Sequence, residues 1–258
     1  MTEVHEGEAE QENPQLNALI EHYIKMGTAL KEDRLSIEEF AQQQAQSDLE
    51  KDRRTAIATE LSIRDSLTGL YSRSLLREDI EQKLGEARRG KPVSYLMIDL
   101  DEFKTINDQY GHQTGDDVLL EISKRLSKTL RPYDRVYRYG GDEIGALVDT
   151  TGPHAVGIGE RLRSKVFGSP IVIIVEGEEK EIYVSASIGV GSFNPQTEAI
   201  SSKELIKRGD DLSYHGKRAG RNCTAFYDGS GKVGIIQNDP NNPSTAITKY
   251  VPRNGSPK

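Results

Sequence analysis

Apolar residues recur at helical spacing from about Gln15 to Met26, at Leu16, Leu19, Ile20, Tyr23 and Ile24, and Gly27 weakens the pattern. The spacing predicts a short helix. Further on, Ser36-Ile37-Glu38-Glu39 has the serine-to-glutamate separation of a capping box, and a charged helical stretch follows to about Ser62, with Phe40, Ala45, Leu49, Ala56 and Leu61 as thin apolar marks. A helix this polar is either a solvated linker or a stalk that pairs with a second copy. From Asp65 the texture changes. The pattern predicts helices over 72–87, 114–130, 153–167 and 203–217, and strands over 93–99, 134–139, 143–149, 170–175, 181–191 and 223–227. That order contains βαββαβ with extra elements, which gives an α/β (α+β) sandwich with a mostly antiparallel central sheet. Residues 93–98 are apolar except Ser94, so their strand is central and buried. The pair Gly140-Gly141 lies between two strands and predicts a tight hairpin whose turn takes its positive φ angles from the glycines.

Composition adds the ends. Of 258 residues 35% are hydrophobic and 29% charged, so a core forms but part of the chain stays unpacked. Residues 1–14, rich in Glu and Gln, are expected to be a disordered acidic tail, and 229–258, rich in Gly, Asn, Pro and Ser, a disordered C-terminal tail. Between them stand a helical region over 15–63 and one folded domain over 64–228. A net charge of −7 argues against a protein that holds nucleic acid by general phosphate attraction. The single cysteine, Cys223, can form neither an internal disulfide nor a Cys-based zinc cluster, which fits a reducing compartment and a cytoplasmic location. The N-terminus is acidic where a signal peptide is basic and then apolar, and no run approaches the roughly 18 apolar residues of a membrane span.

The candidate chemistry gathers at the hairpin. Asp99 ends an apolar strand, and Asp142 and Glu143 follow the glycines. Pairing of the hairpin beside that strand brings the carboxylates to one edge, where their mutual repulsion calls for a divalent cation. Oxygen donors without His or Cys favour Mg²⁺ or Mn²⁺ over zinc. Gly140 and Gly141 leave room for a phosphate chain to approach the backbone.

Five ordered motifs carry a resemblance over roughly 64–228. Arg138-Tyr139-Gly140-Gly141-Asp142-Glu143-Ile144 resembles the GGDEF signature of diguanylate cyclases, with isoleucine for the last phenylalanine. Asp65-Ser66-Leu67-Thr68-Gly69-Leu70-Tyr71-Ser72-Arg73 is similar to DxLTGLxNR, with Ser72 for asparagine. The run from Asp99 to Asp108 matches DxDxFKxxND, Tyr110 to Asp116 resembles FGHxxGD, and Lys217 to Asn222 matches KxxGRN. The resemblance implies condensation of two GTP into cyclic di-GMP. It implies two Mg²⁺ (or Mn²⁺) ions per active site, held by Asp99, Asp142, Glu143 and the Leu100 carbonyl, with Asp142 as candidate base. Asn107 and Asp116 would read guanine. Lys104, Lys217 and Arg221 would hold phosphates, and Phe103 would lend a backbone N–H while its ring packs inward.

The same resemblance places a product-inhibition site at Arg131-Pro132-Tyr133-Asp134, with a second arginine from the following helix, Arg161 ahead of the competing Arg163. It also implies a homodimer, because two 3′-hydroxyls attack two α-phosphates. The helices over 15–62 would then align the two copies; no regulatory partner is legible. The rival reading is a catalytically silent receptor that binds cyclic di-GMP at Arg131 and Asp134, and the carboxylates and lysines of the catalytic motifs argue against it.

Overall fold

The computed structural model describes residues 14–26, 34–196, 198–230, 232–239 and 242–252. Contacts divide the chain into two units, Met1–Ser62 and Ile63–Lys258. In the first, helix α1 (Pro14–Met26) lies on helix α2, which runs Arg34–Ile63 and crosses the unit boundary. The Tyr23 hydroxyl of α1 donates to the Asp48 carboxylate of α2, and Ala41 and Ala45 are buried while Phe40 stays exposed. Helix α2 begins two residues before Ser36, so the expected cap falls inside it; the Ser36 side chain lies outside the described residues, as does the expected tail up to residue 13. Among the described residues no helix is long and apolar enough to cross a membrane.

The second unit is built on a sheet. Strand β1 (Tyr71–Ser72) leads into helix α3 (Arg73–Ala87), then β2 (Val93–Leu100), α4 (Phe103–Tyr110) and α5 (His112–Thr129). Strands β3 (Arg135–Gly140) and β4 (Glu143–Val148) form the glycine hairpin, followed by α6 (Gly152–Val166), β5 (Ile171–Val175), β6 (Glu178–Ile182), β7 (Ala186–Phe193), α7 (Ser202–Arg218) and β8 (Cys223–Tyr227). Two more strands follow, β9 (Lys232–Asp239) and β10 (Asn242–Pro252), so much of the segment expected to be a disordered tail extends the sheet instead. The strand order is β1-β3-β4-β2-β7-β8-β9-β10. Two neighbour pairs, β1/β3 and β7/β8, are parallel, which makes the sheet mixed with antiparallel pairs in the majority.

All eight residues of β2 are buried, the state that its apolar run implies for a strand covered on both faces. One face packs Leu96, Ile98, Ile144 and Ala146 with side chains of α5 and α6; the other packs Tyr95, Met97, Tyr137 and Leu147 with side chains of α3 and α7. Helix α7 comes unusually close to the sheet. A Cβ on Gly189 would lie 2.0 Å from the Gly209 carbonyl oxygen, one on Gly209 would meet the Tyr95 ring at 2.9 Å, and one on Gly216 would meet Cys223 Sγ at 2.7 Å. The two glycines of this helix, Gly209 and Gly216, permit that approach.

The strand expected over 181–191 is two strands. Strands β5 and β6 make a separate two-stranded sheet, and the chain breaks at Tyr183–Ser185 before β7 joins the main one. At the break the Ser185 carbonyl accepts from the Asp101 N–H at 2.9 Å, which ties the segment to the end of β2.

Candidate active site

Register brings the carboxylates together. Asp99 pairs with Glu143 across β2 and β4, and with Ser187 across β2 and β7. Asp142 stands in the turn, where its carbonyl accepts from the Leu100 N–H at 3.3 Å. The turn differs in detail from the sequence expectation. Gly140 already pairs with Glu143, a bulge falls between Arg138 and Gly140, and the central turn residues are Gly141 and Asp142. Only Gly141 of the two glycines has a positive φ, because the bulge shifts the turn along by one residue. The tip is braced from outside: the Arg138 guanidinium donates to the Gly141 carbonyl at 3.0 and 3.3 Å and to Asp65 Oδ1 at 3.0 Å.

Asp99 is 8% exposed and its Oδ2 meets Lys217 Nζ at 2.6 Å. Its other oxygen, Oδ1, is buried without a hydrogen-bond partner. Burial pushes the Asp99 carboxyl above the ordinary range, the Lys217 ammonium pulls it down, and Asp142 and Asp101 push it up again. Glu143 is raised by burial first, then by the charges of Asp99, Asp210 and Asp142. Lys217 is the cation that opposes both shifts, so the acidic edge is under-neutralised. An orphaned carboxylate oxygen among hard donors fits a Mg²⁺-type ion. Among the described residues, however, no group of three His, Cys, Asp or Glu side chains is gathered as a ready cage, and Lys217 holds the Asp99 oxygen nearest it.

Helices α4 and α5 are joined by Gly111 alone, at φ 85°, and this sharp joint sets Asn107 over the first turn of α5. A Cβ on Gly115 would lie 1.9 Å from Asn107 Oδ1 and 3.3 Å from Phe103 Cζ, so the absence of a side chain there makes the place that Asn107 occupies. Asp116 follows directly. Phe103 is 7% exposed, its ring in the core as expected, and its N–H belongs to the first turn of α4, where helical donors lack intrahelical acceptors. Lys104 is exposed and makes no ion pair among the described residues.

The loop after α7 bends through three successive positive φ angles, Gly220 at 122°, Arg221 at 64° and Asn222 at 44°. Arg221 is paired only at 3.8 Å with Glu102. A cleft of roughly 560 Å³ opens beside it, lined by Asp101, Glu102, Thr105, Tyr183, Arg221 and Asn222 among others. Sequence reasoning gave Asp101 no role. It is 7% exposed and accepts from Ser185 Oγ, Ser187 Oγ and the Asn222 N–H at 2.7, 2.7 and 2.9 Å, so it fastens the end of β2 to this loop. The signal was its alternation with Asp99 in the motif.

Away from this edge, Asp134 accepts from the Arg131 N–H at 3.1 Å, while the Arg131 guanidinium donates to the Tyr133 hydroxyl at 2.9 Å. Burial raises the Asp134 carboxyl, and the charges of Arg131 and Arg161 oppose it. Arg161 Nε is buried without a partner. Arg163 is turned elsewhere, onto Glu160, and it is the charge of Arg161 that acts on the Asp134 carboxyl.

Fold and site define an α/β domain whose centre is an acidic hairpin packed beside a buried carboxylate strand. The chain belongs to the GGDEF domain family: the family model for "Diguanylate cyclase, GGDEF domain" matches residues 62–223. It is 40% identical over 166 residues to response regulator PleD of Caulobacter vibrioides, a match covering 64% of this chain and 36% of that protein. It is 37% identical over 168 residues to diguanylate cyclase DosC of Escherichia coli, covering 64% and 35%. The chain thus spans little more than a third of the length of these curated relatives. Among solved structures, diguanylate cyclase SiaD of Pseudomonas aeruginosa, in complex with its activator SiaC, is similar at a TM-score of 0.59 and 30% identity, covering 83% of this chain and 77% of that one. The coiled coil and GGDEF domain of DgcB from Caulobacter crescentus, in complex with c-di-GMP, shares the fold at a TM-score of 0.66 and 23% identity, covering 73% and 98%.

Proposed function

We propose that the protein is a diguanylate cyclase that joins two GTP into cyclic di-GMP and releases two pyrophosphates. The observation that carries this reading is Asp99, its buried Oδ1 unpartnered and its strand in register with Glu143, at the foot of the Gly141-Asp142 turn. Asp99, Asp142, Glu143 and the Leu100 carbonyl would hold Mg²⁺ or Mn²⁺, two ions per site, and the metal would supply neutralisation of the triphosphate and a more acidic 3′-hydroxyl.

The remaining work belongs to the chain itself. Asn107 and Asp116 offer an amide and a carboxylate to the guanine edge, and a site built for those hydrogen bonds rejects a base that leaves them unmade. Lys104, Lys217, Arg221 and the Phe103 N–H hold phosphate oxygens, with Gly140 and Gly141 admitting the chain close to the strand ends. In each half-reaction a 3′-oxygen forms a bond to the α-phosphorus of the other GTP. The bond to the bridging oxygen breaks, pyrophosphate leaves, and the hydroxyl proton passes to a carboxylate, Asp142 or Glu143. Two such half-reactions need two sites face to face, hence a homodimer.

Incubation of the purified protein with GTP and Mg²⁺ should give cyclic di-GMP, with ATP turned over far less. No product from a confirmed dimer that still binds cyclic di-GMP would replace this reading by that of a silent receptor. Arg131, Asp134 and Arg161 would form the product-inhibition site. Arg131→Ala should keep turnover and lose inhibition by added product.

A further inference from the structure

Helix α6 carries two arginines that face different places. Arg161 acts on Asp134, in the proposed inhibitory site. Arg163 is 7% exposed: its guanidinium grips Glu160 at 3.0 and 2.8 Å, and its remaining amino group donates to Asn222 Oδ1 at 3.4 Å. Asn222 belongs to the loop of three positive φ angles. An L-residue with a long side chain such as Arg221 disfavours a φ of 64° and holds it only where its surroundings over-determine the backbone.

Three bonds do so here. The Arg221 N–H donates to the Gly216 carbonyl at 3.1 Å, the Asn222 N–H donates to Asp101 at 2.9 Å, and Arg163 takes the Asn222 side chain. The first two fix the backbone to α7 and β2; the third is a buried cation brought in from a different helix. A buried guanidinium needs its donors satisfied, and Glu160 alone leaves part of the fork open.

We propose that Arg163 is a positioning residue for substrate binding: through Asn222 it keeps Arg221 in the left-handed conformation that sets its guanidinium by Glu102, at the start of α4, where Phe103 and Lys104 lie. This rests on the reading of Arg221 as a phosphate-holding residue. Arg163 touches no substrate, and its effect falls on GTP affinity more than on the chemical step.

Arg163→Gln and Asn222→Gly test this in the full chain. Glycine at 222 adopts the observed φ without strain and keeps the N–H to Asp101 but adds backbone freedom of its own, and glutamine at 163 also disturbs Glu160, so the effect that the two variants share, and its failure to add in the double variant, is what reports the Arg163–Asn222 contact. Both variants should raise KM for GTP about tenfold with kcat changed less than about threefold, and the double variant should be no worse than the poorer single one. Limited trypsin digestion, mapped by mass spectrometry, should show faster cleavage after Arg221 in both variants, with cleavage unchanged at the other sites that the variants share with the wild type. Unchanged KM and unchanged cleavage in Asn222→Gly, or effects that add in the double variant, would overturn the proposal. A wild-type protein that makes no product from GTP would fail the functional reading instead, and the digestion would then decide whether Arg163 restrains the loop.

Discussion

A methyl group on Gly115 would collide with the Asn107 amide at 1.9 Å and press on the Phe103 ring at 3.3 Å. The neighbour most able to give way is the flexible Asn107 side chain, which is also the proposed reader of guanine. Gly115→Ala should therefore raise KM for GTP by about tenfold or more, since small displacements of a binding group are costly, while unfolding free energy falls by only about 1–3 kcal/mol. Steady-state kinetics beside a denaturant melt would check it; a stability loss with KM unmoved would separate Asn107 from the substrate. Asp99 and Glu143 carry a pH signature. Both carboxyls are raised, so their ionised forms are the disfavoured ones in the folded state. Stability from these groups is present below the ordinary Asp and Glu range, about pH 4, and is lost as pH rises through the raised folded values. A divalent cation binds the ionised forms and reverses the sign. Without metal the wild type should lose stability from about pH 4 toward neutrality relative to Asp99→Asn, and Mg²⁺ should restore it near neutral pH in the wild type far more than in the variant. Thermal melts with and without Mg²⁺ would show this. Ile144, the one irregular letter of the signature, is 1% exposed and packs with Ile98 and Ala146 on the face toward α5 and α6, whereas Asp99 and Glu143 share the opposite face. A strand alternates its faces, so that departure was legible as a packing change.

The β3–β4 hairpin owes its shape to a strut as well as to its turn. Arg138 bridges Asp65 to the Gly141 carbonyl with side-chain exposures of 18% and 24% for the ion pair, and a lysine has one point of attachment where the guanidinium has a fork. Arg138→Lys should lower kcat about tenfold or more with the fold and the melting temperature nearly unchanged; a full kcat would mean that the turn holds itself. Elements with many apolar repeats were legible from period alone: β2, α5 and β8 lie within two residues of their expected bounds. Helix α4 was not, because it is eight residues long and starts from a left-handed Glu102 at φ 56°, which leaves too few turns for a period to register. The break between β6 and β7 depends on Asp101, a residue distant in sequence, and no local pattern announces it. A capping box does occur, at Ser201 and Glu204 before α7, where the same serine-to-glutamate spacing was available to be read.

At the scale of the molecule the largest difference lies at the C-terminal end. Gly, Asn, Pro and Ser dominate 229–258 and read as tail, yet Asn and Pro concentrate around residues 238–243, where Asn242 pairs with Asp239, and the strands on either side are complete. Val233 and Ile235, spaced by two, are 0% and 1% exposed and pack with Leu212, Cys223 and Ala225 in a core of their own. The sheet thus reaches past the strand that ends the motif set, and β9 covers the edge of β8, the strand that follows the Arg221 loop. Burial of two such side chains is worth about 3–6 kcal/mol together by the usual 1.5–3 each. A chain ending at Asp228 should lose on the order of that amount in denaturant unfolding, and it should expose the β8 edge to association. Its GTP turnover, followed below the new melting temperature, should fall less than its stability does, because Asp99, Glu143 and Lys217 lie on β2, β4 and α7, which the deletion leaves in place. Unfolding free energy equal to that of the full chain would return 229–258 to the status of a dispensable tail.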